Sequence, residues 1–391
     1  MQLTLYAHPF DLDALAGHGG LGRLRDLGFG EIALATAYHA GRWLMPWHPD
    51  GRVRFLEDGT VHFRPGPDYG TLRPQPSALV DAARPSPLER LCEAAPRHGL
   101  AVRAWTVGAH NSRLGRQHPE LCVENACGDR YHYALCPAQP PVQEYLRALV
   151  EDLAAHEGLG AIEFEAFGWL GWKHSSHHDK SSFTPRGVLD YALSLCFCAA
   201  CCDRLRSEDD RCDPAAIRRW AQEQIRRGVT DADAMAPPKP ADAAAEAAGY
   251  GPAFAARRAT MAQLGRTLRQ AMPPALQCAV QVHPDDLFTG SQLPIAQTHG
   301  FRADEFVVTA YGEGRDGVRA LLAGTAAAAI AAPPRSWRLC LWPKAPQWTR
   351  DDDLREVREL AAAHGVTSIA IYHLGLLPWR TLERAARALA E

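Results

Sequence analysis

Three groupings of side chains in this sequence are of types that could do chemistry. The first is Glu163-Phe-Glu165, two carboxylates two residues apart. On a strand such residues share a face, so both acids point inward if Ile162 and Phe164 pack outward. Glu165, nearer the C-terminal end, is then the one able to reach a substrate; Glu163, set deeper, needs a partner to stay ionised. A carboxyl in a partly dry, aromatic setting has its pKa raised toward neutrality and is suited to general acid catalysis. The second grouping is a set of residues found where short apolar runs end: His8, His39, His110, His283, Tyr311 and His373, with Glu313 and Lys344 just beyond. Packing does not call for imidazoles at one end of every run, so these are candidates for holding a substrate. The third is Cys196-Phe-Cys198-Ala-Ala-Cys201, whose spacing lets three thiolates share a tetrahedral zinc. Cys122, Cys127 and Cys136 are candidates for the fourth ligand, and Cys127 stands in the expected set. A zinc with four protein ligands is closed, hence structural.

A dense segment, Trp169 through Lys180, adds Trp172, His177 and His178 to the candidate binding residues. The tryptophans could stack on the C–H face of a sugar, and the imidazoles could bind its hydroxyls. No His-Glu-x-x-His is present, which excludes that zinc-protease motif. Gly17-His-Gly-Gly-Leu-Gly22 matches a dinucleotide fingerprint in letters only, because Pro9–Ala16 intervenes where a tight strand-to-helix turn is needed.

The elements that must position these groups follow from hydrophobic patterning. Apolar runs suited to strands are Leu3–His8, Glu31–Tyr38, Ala101–Ala109, Ala161–Glu165, Gln277–His283, Phe306–Tyr311, Arg338–Trp342 and Ser368–His373, with helical patterns between them. Eight alternations predict a closed (β/α)8 TIM barrel of a single domain over residues 1–391. The chemistry of such barrels sits at the C-terminal ends of the strands. Two connections exceed what one helix needs: a loop insertion at 40–86, and a Cys/His-rich and helical insertion at 166–260 containing the Pro/Ala-rich 236–248.

Charge narrows the partners. The 42 Lys+Arg nearly balance 45 Asp+Glu, for a net charge of −3, so no basic field favours nucleic acid or an anionic membrane. No run reaches the length of about 18 apolar residues that a membrane-spanning helix needs. The start shows no basic region followed by an apolar one, and eleven cysteines is an odd count, which fits reduced thiols and a cytoplasmic location. A homo-oligomer is compatible with this composition.

Glu165 at the end of the fourth strand, followed by Cys196-x-Cys198-x-x-Cys201 and preceded by a further cysteine, resembles the family 42 glycoside hydrolases, the barrel β-galactosidases. The resemblance implies that Glu165 is the acid/base and that Cys196, Cys198 and Cys201 are ligands of a structural zinc. The stretch from His118-Pro-Glu to Leu135-Cys-Pro is similar to other barrel proteins of the glycosidase superfamily, so the likeness spans about Ala101–Arg206. Two departures stand out. Phe164 precedes Glu165 where that superfamily carries Asn, and the seventh strand, Arg338 to Lys344, has no carboxylate. The second acid would come from Asp285, Asp286 or Glu313; the expected set is Glu165, Asp285 and Glu313. The expected function is a carbohydrate-active hydrolase acting on a small glycoside or oligosaccharide. The alternatives are a metal-dependent barrel enzyme, with His8, His39, His177, His178, His283 and His373 as ligands, and a degenerate glycan-binding barrel.

Overall fold

The computed structural model describes the chain except at 50, 67, 175–179, 181–183, 186, 209–211, 231–239, 331–332 and 391, with only the backbone described at 230 and 240–250. Eight strands form the barrel: β1 Gln2–Ala7, β2 Phe29–Tyr38, β3 Ala101–Val107, β4 Ala161–Glu165, β5 Gln277–His283, β6 Glu305–Ala310, β7 Ser336–Leu341 and β8 Ser368–Ile371. Each pairs in parallel with the next, and β8 pairs with β1 (Leu3 opposite Ile369), closing the sheet. All eight expected runs are strands, and the expected closed (β/α)8 architecture is the one observed.

Helices cover the outside. Their starts are set locally: Ser86 accepts from the Glu89 amide while Glu89 accepts from the Ser86 amide, a reciprocal cap on Pro87–Ala94. Pro140–Ala154, Arg315–Ala328, Asp351–Ala363 and Trp379–Ala390 follow β3, β6, β7 and β8. Among the described residues β5 has no α-helix after it; short 3-10 turns at Ile295–Gln297 and His299–Phe301 pack there against the long helix Pro240–Gln270. Glycines permit that contact, since a Cβ on Gly265 would meet the Phe301 amide at 2.6 Å and one on Gly300 the Ala262 carbonyl at 2.0 Å. The glycine match at 17–22 lies in a 3-10 turn entering the helix Gly20–Asp26.

The two long connections build over the C-terminal face. After β2, the hairpin Gly41–Leu44/Val53–Leu56 turns back, and Thr60–Val61 pairs antiparallel with the end of β2. After β4, Gly187–Ser194, Ala199–Glu208 and Pro214–Thr230 gather a small core of their own around Tyr191, Leu195, Phe197, Leu205 and Ile217. Of the 236–248 segment, residues 236–239 lie outside the described residues. No described helix is long and apolar enough to cross a membrane.

Candidate functional site

Alternation along the strands stacks polar side chains inside the barrel in layers. At the floor, Glu31 on β2, Arg103 on β3, Glu305 on β6 and Arg338 on β7 form a dry ionic ring. Arg103 contacts Glu31 at 3.1 Å and Glu305 at 2.7 Å; Arg338 contacts Glu31 at 2.6 Å and Glu305 at 3.1 Å. Thr4 on β1 and Ser368 on β8 complete it. Burial pushes the Glu31 carboxyl up, but the two guanidiniums outweigh it and hold it at about 2.

One layer up lies Glu163, fully buried. It accepts from the Tyr6 hydroxyl and from Gln281 Nε2 at 2.8 Å, and Arg103 stands 3.6 Å away. Burial dominates and raises its pKa.

At the mouth, Glu165 accepts from the Trp105 indole N–H at 2.5 Å. Burial pushes its carboxyl up to about 7; the Trp105 bond opposes this and the nearby Glu163 charge adds to it. Tyr38, Tyr311 and Tyr372 surround it, each raised first by burial and also by the Glu165 charge. Tyr311 and Tyr372 lie 4.5 Å apart, and the Tyr38 and Tyr372 hydroxyls 3.3 Å apart. A carboxyl near pH 7, touched by neutral donors and ringed by aromatics, can give up a proton to a leaving oxygen and take one back from water.

The other expected residues fall into separate groups. His39 stacks on His110 at 4.2 Å, and His110 Nδ1 lies 3.0 Å from His174 Nε2. Burial holds His110 well below the ordinary range and His174 down to about 3, so these two rings are neutral. His283 stacks on Phe288 at 3.8 Å and accepts from the Asp285 amide at 3.1 Å; burial lowers it too. Asp285 is exposed and accepts from the Leu287 amide, while Glu313 is half-buried and accepts from the Gly312 amide. Trp172 is half-buried, whereas Trp169 is buried with the Arg257 guanidinium 5.1 Å over its ring. His8 and His373 do not stand open at the mouth. Both are buried beneath Trp43 of the hairpin, each 4.5 Å from its ring, with Asp11 3.6 Å from His373 Nδ1. His177 and His178 lie outside the described residues.

The thiols do assemble, with Cys136 standing where Cys127 was expected. Cys136 Sγ is 3.5 Å from Cys201, 3.7 Å from Cys196 and 3.7 Å from Cys198, and all four residues are buried. Tetrahedral zinc with bonds of about 2.3 Å places its sulfurs ~3.8 Å apart, so the donor set and its spacing fit that ion. Cys127 is not part of the cluster. It sits exposed at the tip of the hairpin Cys122–Glu124/Arg130–Leu135, and Cys136 follows at the base. Among the described residues this is the one group of three or more His, Cys, Asp or Glu whose ligand atoms lie within 4.8 Å of one another. His8, His39, His283 and His373 form no such set.

Sequence reasoning missed Trp105, Tyr6, Tyr38, Tyr372 and Gln281. Their signal was alternation: Arg103 and Trp105 on β3, Thr4 and Tyr6 on β1, and Gln281 and His283 on β5 are in phase with polar neighbours two residues away.

No family model matches the chain, and no curated protein does. Among solved structures, the chain is similar to the glycoside hydrolase domain of PgaB (BpsB) from Bordetella bronchiseptica. That pair is 14% identical, covers 100% of this chain and 98% of the other, and has a TM-score of 0.57, a likeness of fold. A chitinase from Rhizomucor miehei is 11% identical over 100% of this chain and 99% of its own, with a TM-score of 0.45. A β-mannanase from the blue mussel Mytilus edulis is 10% identical over 100% and 92%, with a TM-score of 0.44.

Proposed function

We propose that this barrel is a carbohydrate-active hydrolase of the glycoside hydrolase type, with Glu165 as its general acid/base. One observation carries the reading: a carboxyl at the C-terminal end of β4, held by the Trp105 indole and raised to about 7 inside an aromatic mouth. The protonated acid gives its proton to the glycosidic oxygen as the bond breaks; the carboxylate then takes a proton from the incoming water. The positive charge developing on the sugar ring calls for a second carboxylate, and Asp285 and Glu313 are the candidates, since both charges are felt at His283. The barrel fold shared with the PgaB domain supports the class, and the family 42 likeness of the Glu165 and cysteine region supports the role of Glu165.

The experiment is release of reducing ends or aryl groups from a panel of glycosides. Glu165→Gln is expected to lower kcat on a cleaved substrate by roughly 10²–10⁴-fold while substrate binding persists. Binding by the wild type with no turnover on any glycoside would replace the hydrolase with a glycan-binding barrel. Glu313→Gln and Asp285→Asn identify the second carboxylate as the one whose loss matches that of Glu165→Gln.

Cys136, Cys196, Cys198 and Cys201 are proposed to hold a structural zinc. Bound there, the ion would tie the hairpin after β3 to the excursion after β4 and supply no reacting atom. One zinc per chain in protein purified without added metal, absent from Cys198→Ser and retained in Cys127→Ser, is the expected result. Loss of zinc in Cys127→Ser would contradict this ligand set.

A further inference from the structure

Where β7 and β8 end, a cleft of about 390 Å³ opens beside the mouth, walled by Trp342, Lys344, Thr349, Leu376, Pro378 and Thr381. Its volume falls within the roughly 300–1,000 Å³ of small-molecule sites. All six side chains belong to residues that keep surface open to solvent, so a ligand in the cleft can touch them. Trp342 joins the cleft to the catalytic acid. Its ring lies 5.4 Å from that of Tyr372, one of the rings around Glu165, so the cleft and the acid are one aromatic side chain apart.

The charges of the wall define the ligand. Among the described residues two cations, Lys344 and Arg384, line the cleft and no carboxylate does. Arg384 is committed elsewhere: its guanidinium donates to the Trp348 and Thr349 carbonyls, both at 2.6 Å, and its Nε lies 3.6 Å from Asp351. Lys344 is not. Its ammonium lies 3.2 Å from the centre of the Trp342 ring, and among the described residues it forms no ion pair. Burial lowers the Lys344 pKa, as expected of an ammonium that has given up water without gaining an opposite charge. The face of an indole repays part of that loss, and an anionic group repays more. A neutral ligand would leave the ammonium as it is; an acidic one completes it. Leu376, Pro378 and the open part of Trp342 add apolar surface for the C–H face of a pyranose, and Thr349 and Thr381 bring hydroxyls for its polar edge.

We propose that this cleft takes an acidic sugar unit, one bearing a carboxylate or a sulfate ester, of an oligosaccharide whose scissile bond lies at Glu165, with the Lys344 ammonium paired to the acid group. The class of ligand rests on the hydrolase reading above, and the test separates the two. A chain carrying Glu165→Gln is titrated calorimetrically with tetragalacturonate, tetramannuronate and a sulfated carrageenan tetrasaccharide, then with cellotetraose and chitotetraose. At least one acidic chain is expected to bind about tenfold or more tighter than either neutral one, with Lys344→Met cancelling that advantage and Lys344→Arg keeping it. Preference for a uronate names a carboxylate as the acid group, and preference for the sulfated chain names a sulfate ester. Neutral chains that bind as tightly as the acidic ones, an acidic advantage that survives Lys344→Met, or binding of none of the five would overturn the proposal. Cleavage of a neutral glycoside that Glu165→Gln abolishes, with no acidic advantage in binding, would keep the hydrolase and remove the acidic subsite. An acidic advantage that depends on Lys344, in a chain whose wild type cleaves no glycoside, would keep the subsite and remove the hydrolase. Acidic and neutral chains are compared on one protein with Lys344 in place, so a variant at 344 that fails to fold leaves that comparison standing.

Discussion

The floor and the mouth of this barrel both bury glutamates, and they treat them in opposite ways. Glu31 at the floor lies against two guanidiniums and is held at about 2; Glu165 at the mouth touches an indole N–H and is pushed up to about 7. Burial raises both. What differs is the charge of the partners, because a full positive charge repays desolvation and a neutral donor repays only part of it. The floor therefore fixes its carboxylate in one protonation state, whereas the mouth leaves Glu165 poised between two. Glu163 is the intermediate case: 3.6 Å from Arg103, bonded to Tyr6 and Gln281, and still raised.

The largest effect expected from this contrast is at the floor. Arg338→Met removes one member of the buried ring and leaves Glu31 and Glu305 to share Arg103; a loss of about 3–5 kcal/mol is expected in chemical unfolding. Glu165→Gln should cost nothing comparable at pH 7, and equal costs for the two variants would dissolve the distinction.

A smaller effect separates the two regions by pH. Folding lowers Glu31 from its ordinary 4.5, so its stabilisation is present above 4.5 and lost as the pH falls toward 2. Folding raises Glu165, so its contribution is fully present below 4.5 and lost as the pH rises through 7. Unfolding measured from pH 4.5 to 7.5 should show the wild type losing stability relative to Glu165→Gln. A constant difference across that window would place Glu165 outside the dry mouth.

The smallest effect probes the layer between. The Glu163 charge raises Glu165, so Glu163→Gln should move the high-pH limb of kcat/KM downward, by less than about one pH unit. An upward movement would contradict the assigned coupling.

The barrel was legible in the sequence because each strand is a short apolar run with turn residues around it, and closure follows from repeating that unit eight times. Glu165 was legible from its place at the end of the fourth run. The fourth thiol of the cluster was not. Cys127 and Cys136 lie in one short stretch, and choosing between them requires knowing that an antiparallel hairpin carries one to its tip and returns the other to its base. His8 and His373 were expected at an open mouth, yet the hairpin after β2 lays Trp43 over them. That cover comes from a loop-rich insertion whose destination no periodicity encodes. The ionic ring was hidden for a further reason: its acids and bases lie on β2, β3, β6 and β7, and only closure of the sheet brings them together.

That ring also imposes an order on how the molecule comes into being. Glu31 and Arg103 leave the ribosome early, whereas Glu305 and Arg338, their counter-ions across the lumen, are made only near the end of synthesis. A nascent chain can pair Glu31 with Arg103 on its first strands, but the ring is complete only when Glu305 and Arg338 arrive. A product truncated ahead of β7 holds Glu31 and Glu305 with Arg103 alone between them, so the floor of its barrel carries one acid too many to be closed off from water.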